Sequence, residues 1–364
     1  MKRHSVLPVG VMAIVLLLIG GFTENAFAEL KDVGVPFSKV GNVSSFKMMT
    51  PTDGWAASNR GVYRTTDGGL RWVRVLRGDA SFQSNGQTDF LSKDIAYTIL
   101  PINNTSSHLF VTHDGGQHWQ RSVVKLGAQT AIQMSFANAH VGWVMTAPGG
   151  AAGPFEPVAV YKTVDGGLHT RVIVPAPTQS AESHGLPQGA LKTGIYFETP
   201  SRGWMTADSW GNDIWLYETM NGGLTWRNRS ITSIPGPLKH YLGGDQLPGN
   251  PAFFNSSDGV LPVQFNGGGF CLYVTTDGGE DWRFTQPLLT KANVEYDILD
   301  RTHVFASMER KLYESTNLGR SWSIVSTGTP VDTSLDFANS SVGYAFGKLL
   351  WKTLDCGKIW FVVK

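Results

Sequence analysis

Seven acidic or amide side chains recur along the chain at positions 67, 114, 165, 221, 277, 317 and 355, each inside the pattern Ser/Thr-x-Asp/Asn-x-Gly-x-x-Trp, whose closing Trp is replaced by Thr170 in the third copy. A carboxylate so placed could act as acid, base or nucleophile. Two observations argue for a structural role instead. Asn221 and Asn317 hold the same position without a carboxylate, and an active site is needed once whereas this turn occurs seven times. An Asp or Asn entering a tight turn accepts backbone N–H bonds from the turn itself, and a Gly two positions later tolerates positive φ. Asp67, Asp114, Asp165, Asn221, Asp277, Asn317 and Asp355 are therefore read as hairpin locks, and no catalytic residue is assigned.

Other chemistries leave little trace. There is no Gly-x-Ser-x-Gly elbow, no phosphate loop ending in Gly-Lys-Ser/Thr and no His-Glu-x-x-His. His108, His113 and His118 are spaced by five, which puts neighbours on opposite faces of a strand, so no metal site is expected. Cys271 and Cys356 fall in non-adjacent repeats and are not expected to pair. With 30 Lys and Arg against 29 Asp and Glu, the net charge is +1. That balance offers no broad field to a nucleic acid or an acidic membrane. No cofactor is expected.

The locks must sit on repeating elements. Successive Asp or Asn positions are 47, 51, 56, 56, 40 and 38 residues apart. A strand precedes each lock (VYRTT, LFVTH, IWLYET) and another follows it (WVRVL, WQRSVV, WFVV). Upstream lies an apolar-alternating strand, a polar turn and Gly-aromatic, as in SFKMMTPTDGWAAS and DFANSSVGYAFG. Four strands per unit, with 336 residues from Glu29 onward giving 48 for each of seven units, predict an all-β, seven-bladed β-propeller with four-stranded antiparallel blades. Either the last strand (360–363) completes blade 7, or the segment 33–40 pairs beside it.

In such a blade the lock turns share a face with the turns joining strands one and two. The longest connections all fall on the opposite face: 148–157, 177–191, 209–213 and 235–249. Connections of 10 to 15 residues without regular structure tend to be functional. The partner-binding candidates there are Phe155, Glu156, Asp208, Trp210, Asp213, His240, Tyr241 and Asp245, with His184 and Lys239 beside them.

The amino terminus reads Lys2-Arg3, an apolar run from Val6 to Phe22, then Ala26-Phe27-Ala28. This is the pattern of a secretory signal, so residues 1–28 are expected to be a leader cleaved after Ala28, and 29–364 one exported domain. The alternative is an uncleaved anchor.

The turns resemble Asp-box, or BNR, repeats, which occur in sialidases, in other glycoside hydrolases, in sortilin-type receptors and in the photosystem II stability and assembly factor family. The pairing of DGWAAS with YRTTDGGLRW is most similar to that last family and covers essentially the whole chain after the leader. The resemblance implies an exported propeller that binds a protein client during assembly of an envelope or membrane complex; the chain is expected to be non-catalytic and a monomer. It fixes no client-binding residue. The alternative is a glycan-binding or sialidase-like propeller, against which stands the absence of any Arg-Ile-Pro segment.

Overall fold

The computed structural model describes residues 34–78, 87–103, 106–126, 130–147, 157–176, 184–186, 190–208, 214–236, 238, 242, 244–330 and 334–364. The expected leader lies outside them. Seven antiparallel blades follow one another in a ring: Val43–Arg77, Gln87–Lys125, Thr130–Val174, Leu191–Asn228, Gln246–Phe284, Glu295–Thr327 and Ser334–Val362. This is the seven-bladed β-propeller that the repeat predicts. The first strand of each blade is innermost, for first strands of neighbouring blades lie against one another around the axis.

Aromatic packing between blades explains the Gly-aromatic signature. The second-strand ring of one blade stacks on the Phe that ends the first strand of the next. Trp55 lies on Phe90, Tyr97 on Phe136, Trp143 on Phe197, Trp204 on Phe253 and Phe305 on Phe337, with centroids 3.4 to 5.8 Å apart. The polar ends reach the same neighbour: Trp143 Nε1 donates to Gly222 O at 2.9 Å, and Tyr97 OH to Ala139 O at 2.8 Å. Trp143 and Tyr97 thus combine large buried area with a satisfied polar tip, whereas Trp204 Nε1 is buried with no partner among the described residues. The Gly before the aromatic leaves room for the Phe of its own blade. A Cβ at Gly343 would lie 2.6 Å from the Phe337 ring.

Blade 5 departs from four strands. Its innermost strand is broken into Gln246–Pro248 and Ala252–Phe253, both paired with Gly259–Phe265, and Ser230–Ile231 adds a parallel pair beside Asp281–Trp282. Pro251 has no N–H to offer a ladder, which interrupts the strand at that point.

Ring closure follows the first of the two expected routes. Phe361–Val362 pairs with Leu350–Thr353 and completes blade 7. Residues 34–40 do not join that blade: Val35 bridges Trp72 of blade 1, and Phe37–Lys39 form a 3-10 turn. Phe37 and Val40 are instead buried between blades 1 and 7, against Trp72, Tyr344 and Phe346. The two blades meet through side chains, with Tyr344 OH donating to Pro51 O at 2.9 Å.

Candidate functional site

All seven repeated turns share one hydrogen-bond circuit. In the first, the Thr65 hydroxyl donates to Asp67 Oδ1 at 2.9 Å and accepts the Gly69 N–H at 3.0 Å, while Asp67 Oδ1 accepts the Arg71 N–H at 3.0 Å. Asp114, Asp165, Asn221, Asp277, Asn317 and Asp355 repeat it with their own Ser or Thr and the N–H four residues on. The Ile359 N–H and the Thr353 hydroxyl hold the Asp355 carboxyl below its ordinary range. Each residue is thus engaged within its own turn, and the ring keeps the seven apart. His118 is likewise drawn to its own turn, with Nδ1 2.6 Å from Asp114 Oδ2.

In blades 1, 4, 5 and 6 the Trp that closes the motif has a second task that the sequence reading did not foresee. The segment leading into the blade clamps it. Val35 exchanges two backbone bonds with Trp72, at 2.9 and 2.8 Å; His184 O accepts the Trp226 N–H at 2.9 Å, Thr232 N–H donates to Trp282 O at 3.0 Å, and Trp322 Nε1 donates to Gln286 O at 3.1 Å. His184 therefore leaves the long-loop face: Leu224 O lies 2.8 Å from its Nδ1, at the lock-turn end of blade 4. Its candidacy on the opposite face is corrected accordingly.

The long connections of blades 3 to 5 do share one end of their strands. Ala147 to Ala159 joins the second and third strands of blade 3, and Asp208 to Trp215 those of blade 4. The connections entering blades 4 and 5 arrive at Leu191 and Gln246, at that same end. Phe155, Glu156, Trp210, Asp213, Lys239, His240 and Tyr241 lie outside the described residues.

Asp208 and Asp245 are placed, and they face a common neighbourhood. Burial, reinforced by the charge of Asp245, holds the Asp208 carboxyl above its ordinary range. Asp208 Oδ1 is buried with no hydrogen-bond partner among the described residues. Asp245 is steadied by Asn266, whose Nδ2 donates to Oδ2 at 3.1 Å and whose N–H donates to the backbone carbonyl at 3.0 Å.

Beside this pair lie two side chains that loop-based reasoning overlooked. Lys192, 6% exposed, sets its ammonium 5.0 Å from the Trp215 ring centroid and donates to Ala190 O at 3.2 Å. Register places Lys192 opposite Ala207, and Ala207 opposite Trp215, so the cation and the ring border Asp208 on one sheet edge. The signal was present in LKTGIYF and IWLYET, which read as strand interiors.

A third cluster was also missed. Glu218, 1% exposed, accepts from Arg202 Nε at 2.9 Å, from Arg227 Nη2 at 3.1 Å and from Arg229 Nε at 2.7 Å. Arg229 also grips Glu280 of the blade 5 lock turn, at 2.5 and 2.7 Å. Three arginines thus meet Glu198, Glu218 and Glu280 between blades 4 and 5. Opposite charges balance there, which suits a brace between blades.

No family model and no curated protein matches the chain. Solved structures do share its fold. YCF48 from Cyanidioschyzon merolae is similar over 88% of this chain and 98% of its own, at 16% identity and a TM-score of 0.55. YCF48 bound to D1 peptide is similar over 87% and 90%, at 15% identity and a TM-score of 0.53. An oligogalacturonate lyase in complex with manganese is similar over 86% and 89%, at 9% identity and a TM-score of 0.60. At such identities the likeness is one of fold, and the fold serves binding proteins and enzymes alike.

Proposed function

We propose that this chain is a non-catalytic binding module that holds a protein client on the face where blades 3 to 5 carry their long connections. One observation carries the reading: those connections leave and enter the same strand ends, beside Asp208, Asp245, Lys192 and Trp215. The acidic residues of the lock turns support it from the other side, since each spends its Oδ1 on a hydroxyl and a backbone N–H of its own turn. Phe155, Glu156, Asp208, Trp210, Asp213, His240, Tyr241 and Asp245 are the proposed contacts. Aromatic side chains on a positioned rim supply contact area at low entropic cost.

The finer reading is that the turns are Asp-box repeats and that the chain acts as the photosystem II assembly and stability factors do, on an envelope or membrane complex outside the cytoplasm. Similarity to YCF48 bound to D1 peptide supports a peptide segment as the part of the client that is held. The leader pattern of residues 1–28 supports the exported setting. Crosslinking in the native cell, with mass spectrometry of the captured protein, tests this reading. A single envelope protein recovered by crosslinks to blades 3 to 5 is the expected result; crosslinks spread evenly around the ring would overturn it.

A second reading rests on Asp208. A carboxyl raised above its ordinary range by burial beside a second carboxylate is the arrangement of an acid/base pair, and a glycan would be its substrate class. Asp208→Asn separates the two readings. Loss of a glycan-processing activity supports the enzyme, whereas unchanged client binding with no such activity supports the binding module.

A further inference from the structure

Six of the seven lock turns are tied to the turn joining the first two strands of their own blade. The N–H after the Asp or Asn donates to a carbonyl there: Gly68 to Thr52, Gly115 to Asp94, Gly166 to His140, Gly222 to Ser201, Gly278 to Ser257 and Cys356 to Ser341, at 2.7 to 3.0 Å. Blade 6 breaks the rule. Its residue at that position is Leu318, with φ of 59°, and its N–H has no hydrogen-bond partner among the described residues.

The missing tie has a geometric counterpart. A Cβ at Gly222 would lie 2.8 Å from the Pro200 carbonyl, and one at Gly278 2.9 Å from the Ser256 carbonyl. In blade 6 a Leu side chain stands there, and the facing hairpin closes differently, with Asp300 paired to His303 around Arg301 and Thr302. Cys356 in blade 7 is left-handed at the same position, with φ of 64°, yet keeps its tie to Ser341, so the unspent N–H is what sets Leu318 apart.

A cleft of about 240 Å³ opens at this point, between blades 5 and 6, on the lock-turn face. Its wall is largely apolar, with donors set into it. Thr276, Thr316 and Arg320 have no side-chain partner among the described residues, and Leu318 adds its N–H. The one carboxylate, Asp258, already accepts from Arg301 Nη1 and from Asn255 Nδ2, both at 2.9 Å. Arg301 is spent on Asp258, which leaves the Arg320 guanidinium, the Thr276 and Thr316 hydroxyls and the Leu318 N–H as the unspent donors of the residues that line the cleft.

We propose that this cleft binds a small oxyanion, carboxylate or phosphate, with Arg320 as its principal cation and the Leu318 N–H as a fixed donor. Guanidinium matches both anions in a bidentate fork, and an unspent backbone N–H adds direction. The site lies on the face opposite the proposed client surface and stands or falls independently of it.

The test is a titration of the full chain with inorganic phosphate and, separately, with acetate, followed by amide and arginine side-chain NMR. A saturable shift of the Leu318 amide and of the Arg320 side chain is expected, while the Gly278 amide, which is tied to Ser257, stays fixed. Arg320→Gln, at an exposed position, should weaken binding by roughly tenfold or more, as loss of a charged hydrogen bond requires. The tighter of the two anions identifies the source of the oxyanion. No saturable shift at Leu318 with either anion, or equal binding by Arg320→Gln, would overturn the proposal.

Discussion

Asp336 Oδ2 accepts the Met48 N–H at 2.6 Å, and Asp336 Oδ1 holds the Lys47 ammonium at 2.7 Å, so a single carboxylate on blade 7 secures blade 1. Burial works against the Lys47 charge, but Asp336 and then Asp297 outweigh it and raise its pKa. Asp336→Ala would leave a buried N–H unpaired at the ring's seam. The expected loss is about 1 to 3 kcal/mol of stability. A thermal midpoint indistinguishable from the parent chain would show that the seam is held by packing alone.

Asp89 makes a similar bond between blades 2 and 3, accepting the Phe136 N–H at 2.6 Å, but has no cation to support it. Burial pushes its carboxyl up to about 6, with the Phe136 N–H opposing. The folded value lies above the unfolded one. Asp89 therefore contributes stability that is fully present below about pH 4 and lost as pH rises through 6. Asp89→Asn keeps an acceptor for Phe136 and removes the penalty, so it should exceed the parent in stability at pH 7.5 by up to about 3 kcal/mol and converge with it near pH 4. Parallel stability curves across that range would contradict the argument.

In the lock turns, charge should matter less than geometry. Asn221 and Asn317 keep the same circuit as the aspartates. Asp277→Asn should therefore stay within about 0.5 kcal/mol of the parent. Thr275→Val, by contrast, strands the Gly279 N–H and is expected to cost about 1 to 3 kcal/mol. Chemical denaturation of the two variants side by side reads the difference, and equal losses would return the carboxylates to a role beyond the turn.

Glu218 is the hub of the brace between blades 4 and 5. Glu218→Ala leaves Arg229, 7% exposed, without its buried partner and should cost about 3 to 5 kcal/mol. Replacing Arg227, which is 53% exposed on its side chain, should be far milder. The ratio of the two losses, measured by denaturation, checks that the burial assigned to Glu218 is real.

The repeat made the ring legible because one turn chemistry recurs with the strands it joins. Thr65, Asp67 and Gly69 form a local circuit that sequence spacing encodes fully. Ring closure was not legible, because Phe37 and Val40 act by wedging between distant blades rather than by pairing. The Glu218 brace escaped for the same reason: Arg202, Arg227, Arg229 and Glu280 are scattered in the chain and meet only across a blade boundary. Loop length pointed to Asp208 and Asp245, which lie near one another, while Lys192 and Trp215 beside them were hidden inside strands. His184 was misplaced because a long connection need not stay at the end where it begins.

The central claim is that binding belongs to the long-loop face of blades 3 to 5. Once crosslinking has identified a client, its affinity for the full chain and for two double variants decides the matter. Trp210→Ala with Tyr241→Ala alters that face, and Leu70→Ala with Leu354→Ala alters exposed lock-turn positions. The account predicts at least a tenfold loss for the first pair, as expected for aromatic anchors, and none for the second. Unchanged affinity in the first pair, or a loss confined to the second, would contradict it.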